Sequence, residues 1–450
     1  MKAGFISLGC NKNLVDTEKT IALFKEHGYD IVNNPEEAEI IIINTCGFIE
    51  SAKEEAINTI LEMAEYKKQK CKYLIAMGCL VERYKDELKK SIPEVDLYIK
   101  YSEYNTLWEQ IVNLINNSNK DIKKIDFNEY TDRVITTGNS YAYIKIADGC
   151  SNCCTFCAIP KIRGIQKSRT MESIIKEAKK LAEDGYDEII LTAQDTTRYG
   201  QDIYGEPKLA QLLKEIEKID KIKWIRILYS YPETITDKLI STVKESSKIC
   251  HYFDIPIQHI SDSVLKRMNR KSNGESIRKL IIKLRKEIPD VILRTTVMVG
   301  FPGETKEDFE ELYEFLKEAK FDKLGAFTYS KEEGTAAEKM PNQIHPSTKK
   351  SRYNKIMQLQ QEISREKLKG KIGSTQLVKI EGVTKNKKYY VGRSYMDVPE
   401  IDGVIFIENN KTLKLGEWIK ADVVDVKDYD LIGTIIWKWN YYCNKWGCKY

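Results

Sequence analysis

The run Asp148-Gly149-Cys150-Ser151-Asn152-Cys153-Cys154-Thr155-Phe156-Cys157 carries three thiols at the spacing Cys-x3-Cys-x2-Cys. Thiolates are the soft ligands of iron–sulfur clusters and of zinc. A [4Fe–4S] cube has four irons, so Cys150, Cys154 and Cys157 hold three of them and leave one without a protein ligand. An open metal position is where a reactant binds. Structural zinc sites, by contrast, are closed and usually offer two Cys/His pairs. Cys153 is a fourth local thiol, but it adjoins Cys154 and neighbouring side chains point apart. The plainer alternative is a zinc site or a set of buried thiols.

The elements that must position these thiols are legible in the hydrophobic pattern. In the first hundred residues short apolar runs alternate with amphipathic helical spacing, as in a parallel sheet covered by helices. Strands are expected at Ala3–Leu8, Ala38–Asn44, Tyr73–Met77 and Asp96–Ile99, and helices at Leu14–His27 and Ser51–Lys67. Cys10, Cys46 and Cys79 each follow one of these strands, and the carboxyl ends of strands in an open α/β sheet line one crevice. These thiols, 36 and 33 residues apart, are therefore expected to converge as a second three-cysteine cluster site. The alternative is three unrelated core cysteines.

A polar stretch from about Asn116 to Ser140 reads as a linker. Tyr141–Ala147 then alternates as a strand and delivers the chain to Cys150. Five more strands are expected near Glu188–Thr192, Trp224–Leu228, Tyr252–Ile255, Val291–Met298 and Leu324–Tyr329, which makes a partial (β/α)6 barrel of the TIM type, open on one side. Ala193-Gln194-Asp195 and Gly300-Phe301-Pro302-Gly303-Glu304 follow the second and fifth of these strands, where a ligand over the cluster would meet amide, carboxylate and exposed backbone. Taken singly, a turn glycine and a helix-capping carboxylate explain them as well. The four histidines show no metal-ligand pairing, and only His259, at a strand end, is worth a test.

Pro346 to about Gly370 reads as a helix leading out of the barrel. Beyond it, Gln376–Glu381, Tyr389–Ser394, Val404–Glu408 and Trp418–Val426 are short strand-like runs that suggest a small closed antiparallel barrel. From Ser374 to Trp437 nine Lys/Arg face ten Asp/Glu, the wrong sign for binding a phosphate backbone. The tail 438–450, with Cys443 and Cys448, reads as a docked aromatic segment. The expected units are 1–115, the linker 116–135, 136–370, 371–437 and this tail.

The whole chain, 450 residues with 42% hydrophobic content, has the bulk for several packed cores. Lys+Arg 72 against Asp+Glu 67 gives a formal +5, too slight to choose a nucleic-acid partner. No run approaches the 18 or so apolar residues of a membrane span, and the eleven cysteines suit a reducing cytoplasmic setting.

The Cys150–Cys157 motif, with an aromatic residue before its last cysteine, resembles the radical S-adenosylmethionine superfamily. With Cys10, Cys46 and Cys79 ahead of it and a terminal barrel similar to a TRAM domain, the chain resembles the methylthiotransferases. Ser7-Leu8-Gly9-Cys10-Asn11-Lys12-Asn13-Leu14-Val15-Asp16, Ala193-Gln194-Asp195-Thr196-Thr197-Arg198-Tyr199-Gly200 and Asp397-Val398-Pro399-Glu400-Ile401-Asp402-Gly403 resemble the branch that modifies small-subunit ribosomal protein twelve. The branch acting on tRNA usually has a Gln-Met-Asn-type sequence after its first cluster cysteine and Gln-Asn in place of Gln194-Asp195.

The resemblance implies two [4Fe–4S] clusters and S-adenosylmethionine in two roles, methyl donor and radical source. It implies that a 5′-deoxyadenosyl radical removes a hydrogen from the β-carbon of an aspartate, since no side-chain base reaches such a proton at neutral pH. The cluster on Cys10, Cys46 and Cys79 is then the carrier of a methylated sulfur. Phe156 would face the adenine, and Gln194, Asp195 and Gly300 are candidate contacts to the cofactor. The superfamily's Gly-Gly-Glu run after the second barrel strand is absent here. An electron donor and a sulfur source are implied partners. The competing readings are an adenosine-modifying enzyme of tRNA and a non-catalytic electron-transfer or iron–sulfur storage protein.

Overall fold

The computed structural model describes residues 1–117, 124–138, 140–409 and 412–436. The tail, with Cys443 and Cys448, and part of the linker lie outside them.

Strands Lys2–Ser7, Ile40–Thr45, Tyr73–Gly78 and Leu97–Lys100 pair in parallel, with the short strand Asp30–Val32 added at the edge. Ile40, Ile41, Ile42 and Ile43 are all buried, because helices cover both faces of the sheet and a strand so placed reads as one continuous apolar run. Alternate residues serve opposite faces. Ile41 and Ile43 pack with Ala56, Ile60 and Met63, while Ile40 and Ile42 pack with Phe24, Leu107 and Trp108.

The barrel strands form two parallel three-stranded sheets. One holds Ala142–Lys145, Glu188–Thr192 and Trp224–Ile227, and the other holds Tyr252–Gln258, Ile292–Val299 and Lys323–Thr328. Between the third and fourth strands the only ladder contact among the described residues is a single parallel bridge, Ile225 to Ile249. The six expected strands are thus present, with a near-break in their middle. Helices between them start on designed stops: Thr170, Thr236, Asn273 and Thr305 each accept a backbone N–H of the first turn. Among the described residues no helix is long and apolar enough to cross a membrane.

The helix Pro346–Lys369 leads to a closed five-stranded barrel: Thr375–Val383, Tyr389–Arg393, Ile405–Glu408, Leu431–Ile435 and Trp418–Val426. Leu431–Ile435 is a fifth strand beyond the four expected, and it closes the barrel by pairing in parallel with Ile405–Glu408, so the ladder is not antiparallel throughout. This small barrel docks at the amino-terminal mouth of the large one. Arg393 pairs with buried Glu188 at 2.6 Å, Lys379 pairs with Asp187, and Trp418 meets Trp224 edge to face at 4.5 Å. Asp402 accepts from the Tyr252 hydroxyl at 2.7 Å, and Lys323 pairs with Asp397 at 2.7 Å. The carboxyl-terminal mouth, where the Cys150 loop emerges, is left to the first domain.

Candidate active site

Three adjacent parallel strands place the first trio. Lys2–Ser7 leads to Cys10, Ile40–Thr45 to Cys46 and Tyr73–Gly78 to Cys79. Gly9 turns the chain at φ +85°, and a Cβ there would lie 2.8 Å from the Cys46 Sγ; only glycine lets Cys10 and Cys46 come so near. Gly47 packs likewise against the backbone of Cys79 and Leu80. Asn13 ties the three loops together. Its amide donates to the Leu8 carbonyl at 2.9 Å and the Thr45 carbonyl at 3.1 Å, and its Oδ1 lies 3.7 Å from the Cys79 thiol.

The second trio sits on a loop held by the small ladder of Ala147–Asp148 with Lys167–Ser168. The Cys150 N–H donates to the Gly164 carbonyl at 3.1 Å and the Cys157 N–H to the Cys154 carbonyl at 3.0 Å. Asn152 spans the Cys150 sulfur (3.6 Å) and Asp195 (2.8 Å). The Cys154 sulfur has the Tyr231 hydroxyl at 3.6 Å and Arg270 Nη1 at 3.8 Å. Cys153 is exposed, with a left-handed φ of +52°, unlike the buried Cys150 and Cys154 beside it.

Within each trio the thiols are near enough to oppose one another's ionisation. Burial pushes Cys79 and Cys150 up to about 11 and Cys157 up to about 12. Burial works the same way at Cys10, but Lys12, Arg163 and backbone amides outweigh it and lower that thiol. Among the described residues no three His, Cys, Asp or Glu side chains close around a single ion. A cube instead carries each thiolate on a separate iron, and two all-cysteine trios, each with two buried thiols and one half-buried, fit that donor set.

The first trio touches the segment that follows the second at the junction of the two domains. Cys79 packs on Ala158, the residue after Cys157, and on Ile162 one turn further on. Arg163 reaches back to pair with Asp148 at 2.9 Å and Asp16 at 3.1 Å and to donate to Asn13 Oδ1 at 2.6 Å. Lys145 joins the same Asp16 and Asp148, and the Tyr101 ring lies under the Arg163 guanidinium at 4.4 Å. All four charged residues are buried. Such a cluster tolerates no missing partner, since an orphaned buried charge costs about 3–5 kcal/mol.

The other expected residues line the same mouth. Gln194 donates to Asp148 at 3.4 Å, while its Oε1 is buried with no partner among the described residues, as is the Ser230 hydroxyl at the next strand end. Both are free to meet polar groups of a bound cofactor. Asp195 is engaged by Asn152, Thr197 and Arg198, so its visible work is to hold the Cys150 loop. Phe156 is half-buried against Val264, Met268 and Tyr329, with Phe301 at 6.4 Å. Gly300 gives its N–H to Glu304, and its missing Cβ makes room for Lys349. His259 is fully buried and accepts the Ser261 N–H at 3.0 Å. Sequence reasoning missed Asn13, Asp16, Lys145, Asp148 and Arg163 as one unit, because their pairings join residues up to 150 positions apart.

Three family models match the chain: an uncharacterized protein family, UPF0004, over residues 2–100, the radical SAM superfamily over 144–316 and the TRAM domain over 372–436. The ribosomal protein uS12 methylthiotransferase RimO of Alkaliphilus oremlandii is 61% identical over 436 residues, covering 97% of this chain and 99% of its own. Proteins of the same name from Caldicellulosiruptor saccharolyticus (51% identical, 97% of this chain and 100% of its own) and Clostridium perfringens (50% identical, 100% and 99%) align as completely. Among solved structures, the radical S-adenosylmethionine methyltransferase TsrM from Kitasatospora setae superposes with a TM-score of 0.53 at 13% identity, over 73% of this chain and 74% of that one. The radical enzyme OxsB does so with a TM-score of 0.50 at 12% identity, over 81% and 56%. At such identities these likenesses speak to the fold alone. The cysteine trios, the three matched regions and the end-to-end relatives converge: the chain belongs to the ribosomal protein uS12 methylthiotransferase family of radical SAM enzymes.

Proposed function

We propose that this protein inserts a methylthio group at the β-carbon of an aspartate in ribosomal protein uS12. The observation that carries the reading is the contact between the two cysteine-bearing segments, with Cys79 on Ala158 and Ile162 and Arg163 spanning both domains. Bound there, two [4Fe–4S] clusters and S-adenosylmethionine supply the electron, the radical and the sulfur carrier. Cys150, Cys154 and Cys157 hold one cluster, and Cys10, Cys46 and Cys79 hold the other. Gln194 Oε1 and the Ser230 hydroxyl orient the cofactor's polar end, and Phe156 covers its adenine. The protein's own share is position and exclusion of water. The buried Asp16–Lys145–Asp148–Arg163 cluster fixes the separation of the two trios and closes the junction behind them.

Charge favours a protein substrate over tRNA. The small barrel has more acidic than basic residues, and docking takes two of each, Lys379 and Arg393 with Asp397 and Asp402. The slight acidic excess left on its open face suits a basic ribosomal protein better than a phosphate backbone. An electron donor and a source of sulfur complete the cycle, in the cytoplasm.

The test is anaerobic incubation of the reconstituted protein with dithionite, S-adenosylmethionine and either uS12 or tRNA. The reading expects 5′-deoxyadenosine and the mass gain of a methylthio group on uS12. Gain on tRNA with none on uS12 would overturn it.

A further inference from the structure

Four lysines are buried among the described residues: Lys12, Lys19, Lys145 and Lys379. Three of them are fully accounted for. Lys145 pairs with Asp16 and Asp148, Lys379 with Asp187, and Lys19 donates to the carbonyls of Phe127 and Asn128 at 3.0 Å each. Lys12, 7% exposed, makes no ion pair among the described residues. Its one hydrogen bond is a long 3.4 Å contact to the amide oxygen of neighbouring Asn11. Its Nζ instead lies 3.8 Å over the ring of Tyr229. A ring face recovers only part of what burying an ammonium costs.

Position says what would complete it. Lys12 is two residues beyond Cys10, in the first turn of Asn11–Glu26, so it stands on the side of the first trio. Tyr229 stands at the carboxyl end of the strand Trp224–Ile227, on the rim that carries the second trio, and is held at φ +59°, a strained conformation of the kind that collects at functional sites. Asn11 is tied to the same rim by the Thr192 hydroxyl at 3.1 Å. The cation is thus fixed at the junction of the two domains, next in sequence to the first trio and against the barrel rim that carries the second.

We infer that Lys12 receives the side-chain carboxylate of the substrate aspartate and so fixes the adjacent β-carbon between the two cluster sites. The inference rests on the proposed function and deepens it. Cys10 is the nearest anion among the described residues but belongs to the first trio, whereas the carboxylate of an aspartate satisfies the ammonium and sits one bond from the reacting carbon. Lys12 is then a specificity-determining residue, which distinguishes aspartate from its neutral amide isostere.

The test is equilibrium binding to the reconstituted holoenzyme, without reductant, of uS12 and of uS12 carrying Asn in place of the modified Asp. A charge-assisted bond of this kind favours the aspartate form by about tenfold to a hundredfold in the wild type. Lys12→Met is expected to erase that preference, and Lys12→Arg to retain it. Iron content reports whether each variant has folded, and Lys12→Gln replaces Lys12→Met if the latter loads less iron. A Lys12→Met or Lys12→Gln protein that still prefers the aspartate form overturns the inference. So does one in which S-adenosylmethionine binding alone weakens. Failure of the wild type to methylthiolate uS12 would sink the functional reading itself, whereas conversion of uS12 alongside an unchanged preference in the variant sinks only the role of Lys12.

Discussion

Burial decides the character of almost every residue at the domain junction. Arg163 has partners from both domains, and removing its guanidinium leaves Lys145 as the one cation among the described residues for both Asp16 and Asp148 in a site closed to water. Arg163→Gln is therefore expected to lower stability by about 3–5 kcal/mol, measured by denaturant unfolding of the apoprotein; a loss under about 1 kcal/mol would mean that the pairs carry little. The cysteines divide by role. Cys154→Ala is expected to abolish 5′-deoxyadenosine formation, while Cys46→Ala leaves that product measurable and stops methylthio transfer. Chromatography of the small-molecule products with mass spectrometry of uS12 separates the two, and a normal methylthio product from Cys46→Ala would remove the sulfur-carrier role. At this scale the grouping of the cysteines in two trios was legible because strand ends and local spacing mark them. Arg163 was not, since its partners Asn13 and Asp16 come from the other domain and no local pattern announces them.

Elements explain how distant residues reach one site. Cys10, Cys46 and Cys79 meet because their strands are neighbours in a parallel sheet, with Ile40–Thr45 between Lys2–Ser7 and Tyr73–Gly78. Glu188–Thr192 and Trp418–Val426 could be read from their apolar patterns to the residue. Asp30–Val32 and Leu431–Ile435 were missed, one being only three residues long and the other a short run interrupted by Gly433. Tyr252–Gln258 runs beyond its expected end at Ile255, past Pro256, with a shift of register against its neighbour that absorbs the proline. The turn after this strand makes a prediction of its own. Burial pushes His259 down to about 3 from an ordinary 6.5, so it is neutral in the folded chain throughout the mildly acidic range. The unfolded chain takes up a proton below 6.5 and the folded chain does not, so stability present above that pH is lost as pH falls toward 3. About 2 kcal/mol should be gone by about pH 5. His259→Asn, which keeps an acceptor for the Ser261 N–H, is expected to be less stable at pH 7 but to lose less between pH 7 and pH 5. Parallel acid limbs in the two proteins would contradict this.

Across the whole molecule the two mouths of the large barrel have separate duties. One faces the first domain and holds the chemistry, while the other is stoppered by the small barrel through Arg393–Glu188, Lys379–Asp187 and Asp402–Tyr252. The order of three units was visible in the changing texture of the chain. The docking was not, because Lys379 and Arg393 look like surface cations until their partners are seen. Arg393→Met should cost about 1–3 kcal/mol, because Glu188 loses its bonds to Arg393 but keeps Arg226 at 3.1 Å, yet leave the turnover of the folded fraction near normal, since the change lies at the mouth away from the cysteines; a selective loss of turnover in fully folded protein would show that the stopper has a part in catalysis. The central claim, that two separate three-cysteine sites each hold a [4Fe–4S] cluster, is tested most directly by iron and sulfide analysis of anaerobically reconstituted protein. About eight irons per chain are expected in the wild type and about four when Cys150, Cys154 and Cys157 are all replaced by Ala. About four irons in the wild type, or no fall on replacing that trio, would contradict the account.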